Sequence, residues 1–130
     1  MNYIENMHIN LFNKKRIIGV NAEKTAQSFL INNGYLILET NFRTKYGEID
    51  IIAYEKNIDC IIFVEVKYRT RKDFGLPQES VTKSKQKKII KAAFIYLKKV
   101  NKKYNNYRFD VIAISDGDKV EHIKYAFCLY

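Results

Sequence analysis

The sequence predicts a single mixed α/β domain, a central mixed sheet flanked by helices in the order α-β-β-β-α-β. Three observations lead there. An apolar stripe at helical spacing occupies residues 17–32, three β-rich runs follow between 35 and 68, and a lysine-studded amphipathic segment at 83–100 leads into the nearly continuous apolar run RFDVIAIS. At 130 residues the chain is long enough to bury one core and too short for two. It has no internal repeat, low-complexity tract or linker.

Residues 1–14 are expected to form a loose extension ahead of a single domain over 15–130. In the first helix Ile18, Ala22, Ala26, Phe29 and Leu30 recur every three or four positions, and NNGY ends the segment with Gly34 as its C-cap. YLILETNF, EIDIIAY and DCIIFVEVKY then read as strands, the last two joined through EKNID as a hairpin, so a meander is expected. The second helix places Ile89, Ile90, Ala93, Phe94, Leu97 and Val100 on one face and lysines around the rest, with Ser80 or Thr82 as its N-cap. RFDVIAIS, 108–115, follows that helix as a βαβ crossover would, which suggests a buried parallel pairing. KVEHIKYAF alternates as a last edge strand.

Charge narrows the partners. A formal net charge of +9 and a pI near 9.5 favour phosphates and anionic surfaces. Nucleic acid is the first candidate; a membrane surface is the second, but no run approaches the roughly eighteen apolar residues of a membrane span. The opening MNYIENMHINLFNKKR lacks the apolar region of a signal peptide, so a cytoplasmic location is expected. Cys60 and Cys128 have no neighbours at metal-ligand spacing, which argues against a disulfide framework or structural zinc and makes Cys60 a buried strand residue. From Lys67 to Arg108 fourteen basic side chains face two acids, a net +12 that leaves −3 for the rest of the chain. Such segregation suits a surface that tracks phosphates, although a solvated lysine-rich helix face would look the same. Arg69, Arg71, Lys85 and Gln86 are the better phosphate candidates, since the last two open the second helix, where free backbone N–H groups attract anions. His8 and His122 are isolated, and no Ser, His and Asp set stands out for nucleophilic catalysis. Most aromatic rings fit a core, with Tyr46, Tyr68 and Phe74 left to stack on bases.

Chemistry concentrates in GEIDIIAYEKNIDCIIFVEVKYR, residues 47–69, where two apolar strands carry Glu48, Asp50, Glu65 and Lys67. Strand alternation puts Glu48 and Asp50 on one side and Ile49 and Ile51 on the other, and likewise sets Glu65 and Lys67 opposite Val64 and Val66. If the hairpin pairs as its lengths suggest, Asp50 meets Glu65 and Lys67 at one end of the sheet. Two carboxylates so close need a positive partner. Lysine alone can serve, as a solvated ion pair worth little; a divalent cation serves better, because Mg²⁺ binds through one or two carboxylates with waters and substrate phosphate.

An acid, about fourteen residues, then Glu-x-Lys resembles the signature of the restriction-endonuclease-like PD-(D/E)XK nucleases, with Asp50, Glu65 and Lys67 in the three places and Ile49 where a proline often stands. The resemblance extends to the YraN family of small, nuclease-like proteins through NFRTKYGEIDIIA, IIFVEVKYRT, FGLPQESVTKSKQKKI, AAFIYL and RFDVIAI, which occur in the family's order over nearly all of the chain after residue 15. It implies a restriction-endonuclease-like core. It also implies a helix-borne Glu23, here after Ala22 where the family carries glycine, and an Arg43 placed to grip phosphate. By the same resemblance Asp50, Glu65 and the Val66 carbonyl would hold Mg²⁺ or Mn²⁺, Glu23 would take a second metal or its water, and Lys67 would orient the attacking water or stabilise developing charge. Glu48 fits either as a ligand or as a residue behind one. The implied function is a metal-dependent endonuclease acting on DNA, in a branched or structured form. The alternatives are a non-catalytic nucleic-acid-binding scaffold and an RNA-directed version of either. A homodimer would suit an enzyme that cuts two strands, but no heptad or isologous patch specifies one.

Overall fold

The computed structural model describes residues 3–128. Its elements are α1 (Tyr3–Asn32), β1 (Leu36–Arg43), β2 (Glu48–Glu55), β3 (Cys60–Arg69), α2 (Lys83–Lys99), β4 (Asn106–Ser115) and β5 (Lys119–Phe127), with short 3-10 turns at Lys56–Ile58 and Pro77–Ser80. The strands form one sheet in the order β1-β2-β3-β4-β5. β1, β2 and β3 pair antiparallel as a meander, α2 carries the chain over to a parallel β4, and β5 returns antiparallel as an edge. This mixed sheet between two helices is compatible with a restriction-endonuclease-like core. Among the described residues no helix is long and apolar enough to cross a membrane.

Each helix covers one sheet face. Ala22, Ala26 and Leu30 of α1 are buried at steps of four against Ile51, Ala53, Ile62, Val64, Ile112 and Ile114. Two alanines in that stripe let the helix axis approach the sheet closely. The helix ends as NNGY predicts: Gly34 takes φ 86°, its N–H donates to the Ile31 carbonyl, and the Tyr35 N–H reaches back to Leu30. Its start differs from expectation. Residues 3–14, expected to be a loose extension, continue α1 as helix, and residues 1–2 lie outside the described part. No proline or glycine interrupts the chain before Gly19, so nothing in the backbone stops the helix from propagating outward from its packed half.

α2 is also as expected in extent but is rotated about its axis. Ile89, Ala92, Ala93 and Tyr96 are its buried residues, packed on Phe42, Ile52, Phe63 and Phe109. Phe94, expected in the core, is instead 41% exposed and meets Tyr107 edge-on. Tyr96 takes the central place because its ring meets both Phe42 and Phe63. Thr82 is the N-cap, its hydroxyl accepting from the Lys85 N–H at 3.1 Å, while Ser80 donates to the Pro77 carbonyl. The β1–β2 turn rests directly on this helix: a Cβ at Gly47 would stand 3.0 Å from the Lys88 Cβ.

Between α1 and the sheet lies a buried polar network that the sequence did not announce. Asp110, fully buried, accepts from the Arg108 Nε through both oxygens at 3.0 Å and from the Tyr125 N–H at 3.1 Å, and sits 2.7 Å from the His122 Nε2. Arg108 also donates to Glu55 at 3.2 Å and to the Tyr35 hydroxyl at 2.9 Å. β5 is irregular opposite Asp110, with Tyr125 at φ 54°, and the carboxylate satisfies the N–H that the broken ladder leaves over. His122, isolated in sequence, is thus a member of this network, and Cys60 is buried as expected. Removing one partner of such a set strands the others without hydrogen bonds. Asp110→Ala should therefore lower the unfolding free energy by about 3–5 kcal/mol, measured from urea unfolding, and adding Arg108→Met should cost much less than the sum of the two single changes.

Candidate functional site

The pairing of β2 with β3 runs from Glu55 opposite Cys60 to Ile51 opposite Val64. Both strands continue past that point, β2 back to Glu48 and β3 on to Arg69. Their outer neighbours stay paired, β1 through Arg43 opposite Glu48 and β4 through Ser115 opposite Arg69. The sheet therefore opens a notch between two strands that are each held from the other side.

Asp50 spans the notch. Its Oδ2 accepts the Val66 N–H at 2.8 Å, replacing a rung of the ladder. In an extended strand the N–H and C=O of one residue point the same way, so the Val66 carbonyl faces the notch beside Asp50. Glu65 lies across from Asp50, only 5% exposed, with the Lys67 Nζ at 3.8 Å and the Lys85 Nζ at 3.5 Å from its Oε1. Two acids and a lysine at one end of the hairpin are what the spacing predicts. Lys85 is the addition: expected on a phosphate-binding surface, it reaches from the first turn of α2 to the buried carboxylate.

The strict alternation expected of β2 fails at this point. Ile49 and Ile51 should share a face, yet Ile49 packs on the α2 side and Ile51 on the α1 side. Across from Asp50, Asn41 of β1 adopts φ 52°, a left-handed conformation that asparagine tolerates better than most residues. With its amide nitrogen turned toward the acids, Asn41 donates to Glu48 Oε1 at 3.0 Å and to Glu23 Oε2 at 3.3 Å. Asn41 thus joins helix α1 to the end of β2, and sequence reasoning missed it. The available signal was an asparagine inside a β-rich run, where that residue is disfavoured.

The carboxyl groups carry the electrostatic mark of their crowding. Burial first, and then the charge of Asp50, push Glu65 up to about 7, although Lys85 and Lys67 oppose the shift. Asp50 is also raised, chiefly by burial, against the pull of the Val66 N–H and Lys85. Glu23 is raised by burial and then by Asp50, which brings it within electrostatic reach of the same site. An acid pair in this condition holds a proton between its members or takes up a cation in the proton's place.

The other expected residues divide. Arg43 is exposed and pairs with Glu48 at 3.6 Å, an interaction worth little in itself. Arg69 donates to the carbonyls of Phe74 and Gly75, at 3.3 and 2.8 Å, so its guanidinium braces a loop. Gln86 donates its amide to the Val81 carbonyl at 3.0 Å and helps secure the entry to α2. Arg71 is exposed on the loop after β3. A separate basic hollow of about 500 Å³ lies where the β1–β2 turn meets α2, lined by Lys45, Tyr46, Ser84, Lys87, Lys88 and Lys91. Lys45 and Lys91 both lie over the Tyr46 ring, about 5 Å from its centre.

Comparison with known proteins places the sequence in a family. The model of the family described as "Uncharacterised protein family UPF0102" matches residues 22–114, which include Glu23, Asn41, Asp50, Glu65, Lys67 and Lys85. A UPF0102 protein of Thermodesulfovibrio yellowstonii is 49% identical over 110 residues, covering 85% of this chain and 95% of that protein. One from Caldanaerobacter subterraneus subsp. tengcongensis is 46% identical over 119 residues, 87% and 96% of the two chains. Another, from Clostridium botulinum, is 47% identical over 122 residues, 89% and 96%. The chain therefore belongs to the UPF0102 family, the YraN family that its motifs resemble.

Proposed function

We propose that this protein is a metal-dependent nuclease that hydrolyses phosphodiester bonds in DNA, with the notch between β2 and β3 as its active site. The observation that carries this reading is the facing of Asp50 and Glu65 in that notch, between Lys67 and Lys85 and beside a backbone carbonyl freed from strand pairing. A purely structural ion pair gives no reason for the sheet to open there.

The donor set suits Mg²⁺ or Mn²⁺. Two carboxylates and the Val66 carbonyl offer hard oxygen ligands, and the raised pKa of both acids registers a demand for positive charge that one lysine pair leaves unmet. When bound, the metal supplies a water of lowered pKa and polarises the phosphate. Lys67, at the mouth of the notch, is placed to orient that water or to neutralise charge building on the phosphate oxygens. Lys85 serves as the second counter-charge to Glu65. Glu23, steadied by Asn41, stands behind Asp50 and is available to a second ion or to its water. The lysine-lined hollow on α2 and the exposed Arg43 and Arg71 supply the long-range attraction for a polyanion.

A second reading, a nucleic-acid-binding scaffold acting on DNA or RNA, is favoured by one observation. Among the described residues no three His, Cys, Asp or Glu side chains stand close enough to ring a cation by themselves. Cleavage of labelled single-stranded, duplex, flapped and four-way DNA, and of RNA, with Mg²⁺, Mn²⁺ or EDTA separates the two. On the nuclease reading, Asp50→Asn or Lys67→Ala lowers metal-dependent cutting by about 100-fold or more and leaves salt-sensitive binding intact. An asparagine at position 50 can still accept the Val66 N–H, so the fold should persist. Binding without cutting under every metal supports the scaffold, and equal loss of cutting and binding would point to a structural cluster.

A second prediction comes from linkage. Glu65 binds its proton more tightly in the folded chain than in the unfolded one, so without metal the stability should fall as pH rises from about 4.5 to about 7 and level off above. Glu65→Gln should flatten that decline. Because cation binding requires the acid pair to be ionised, millimolar Mg²⁺ or Mn²⁺ should raise the melting temperature by a few degrees at pH 8 and by much less at pH 5.5. Thermal melts at the two pH values, with metal or EDTA, check both statements; a metal effect independent of pH would remove Glu65 from the ligand set.

A further inference from the structure

We infer that Phe74 is a stacking wedge: a phenyl ring held out on the loop that continues β3 past Lys67, to pack against an unpaired or unstacked base of a nucleic acid bound at the notch. The inference rests on the nucleic-acid reading above and adds the residue that selects substrate shape. Three aromatic residues near the site are candidates for base stacking, and the structure separates them. Tyr68 has its hydroxyl hydrogen-bonded to Asp116, and Tyr46 lies beneath the ammonium groups of Lys45 and Lys91. Phe74 makes no ring or cation contact among the described residues and is 92% exposed, the most exposed large apolar side chain described.

Its exposure is built rather than incidental. The loop begins three residues after Lys67 and is locked from within: Asp73 accepts from the Thr70 N–H at 2.6 Å and from its hydroxyl at 3.2 Å, and the Thr70 hydroxyl accepts from the Lys72 N–H at 3.2 Å. The bond to the Thr70 N–H is the main reason the Asp73 carboxyl is held below its ordinary range, so the brace stays ionised near neutral pH. Arg69 clamps the far side by donating to the carbonyls of residues 74 and 75. Gly75 then turns at φ 76°, where any Cβ would come within 2.6 Å of the Glu79 Oε2, and Pro77 buries the return of the chain. A braced turn that projects a phenyl into water pays an entropic and a hydration cost with nothing gained in the free protein. The neighbours indicate the occupant. Arg71 and Lys72 are exposed beside the ring, Lys67 and Arg69 precede it, and the one acid in the loop is consumed by the turn. The cations all precede the ring, and after it come Gly75 and the exposed Leu76; an apolar plane with cations on its approach suits a base whose phosphate lies toward Arg71 and Lys72.

The test uses the full chain carrying Asp50→Asn, so that binding is read without cutting. Fluorescence anisotropy would compare DNAs of equal phosphate count, one fully paired and others bearing a bulge, a flap or a four-way centre, across a salt series. The parent should prefer the DNAs with unpaired or unstacked bases. Phe74→Ala should weaken those by about 10-fold while changing the paired duplex by less than twofold and leaving the salt dependence unaltered; Phe74→Trp should retain the preference. A thermal melt confirms that the exposed substitution leaves the fold in place. An unchanged affinity of Phe74→Ala for every nucleic acid overturns the wedge and leaves the nuclease reading standing, as does an equal loss on the paired duplex. Failure of the parent to bind any nucleic acid overturns both.

Discussion

The bond from the Val66 N–H to the Asp50 carboxylate decides the shape of the functional end of this protein. A strand N–H in the interior must find an acceptor, and beyond Ile51 and Val64 the acceptor is a side chain, not the neighbouring backbone. That one exchange keeps β2 and β3 connected while spreading them apart. The space it opens is lined by polar groups on strands that remain fixed by β1 and β4, so its geometry is set by a sheet and not by a mobile loop. The same exchange brings Asp50 against Glu65 in a place where burial raises the pKa of both, and the charge of Asp50 raises that of Glu65 further. A site of this kind is costly to fold, since two acids sharing little water each resist ionisation, and the parallel pairing of β3 with β4 along its whole length is what withstands that cost.

The Asp110 network contributes to this support from the opposite face. Arg108 and Asp110 pair in register with Ile62 and Val64, immediately before Glu65 on β3. Their bonds to Tyr35, Glu55, His122 and the Tyr125 backbone tie the start of β1, the end of β2 and the irregular part of β5 to β4. One half of the sheet is therefore pinned by buried polar contacts under α1, and the other by the apolar packing of Phe42, Phe63, Tyr96 and Phe109 under α2. Displacing the Glu65 end of β3 would disturb both.

Much of the fold was legible because its signals are local. The stripes of both helices, the NNGY stop, the hairpin through EKNID and the crossover into RFDVIAIS each declare themselves within a dozen residues, and the meander and parallel pairing follow from them. The acid–acid–lysine set was legible for a related reason: strand period and hairpin length alone bring Asp50 toward Glu65. What the sequence hid depends on contacts between distant segments. The left-handed conformation of Asn41 and the opposite facing of Ile49 and Ile51 both break strand alternation, and no window of sequence reveals a φ angle. Lys85 is eighteen residues from Lys67, and only the docking of α2 brings its ammonium to Glu65. Arg69 reads as a phosphate ligand by charge, whereas its donors are taken by two loop carbonyls that sequence cannot place. Asp110 and His122 appear isolated because their partners are spread over β1, β2 and β5. Rotation of α2 toward Tyr96 and away from Phe94 was hidden too, since both are aromatic and only the shape of the opposing sheet chooses between them.

Charge placement links these features to the proposed activity. Asp50 and Glu65 in the notch, with Glu23 and Glu48 within electrostatic reach of Asp50, form a concentration of acid that would repel a phosphate diester, within a chain of net charge +9. The excess of positive charge is distributed so that attraction acts before repulsion does. The exposed lysines of α2 and the loop cations are felt at a Debye length of about 8 Å at physiological ionic strength, whereas the acids are recessed and partly neutralised by Lys67 and Lys85. On the proposed reading a nucleic acid is captured by the periphery and meets the acids only at the bottom of the notch, where a divalent cation removes the remaining repulsion at the point of cleavage. The lysines cannot do this last step alone, because each is a single charge already shared with Glu65. On that reading, capture without a metal and cutting only with one is the division of labour that suits this distribution of charge.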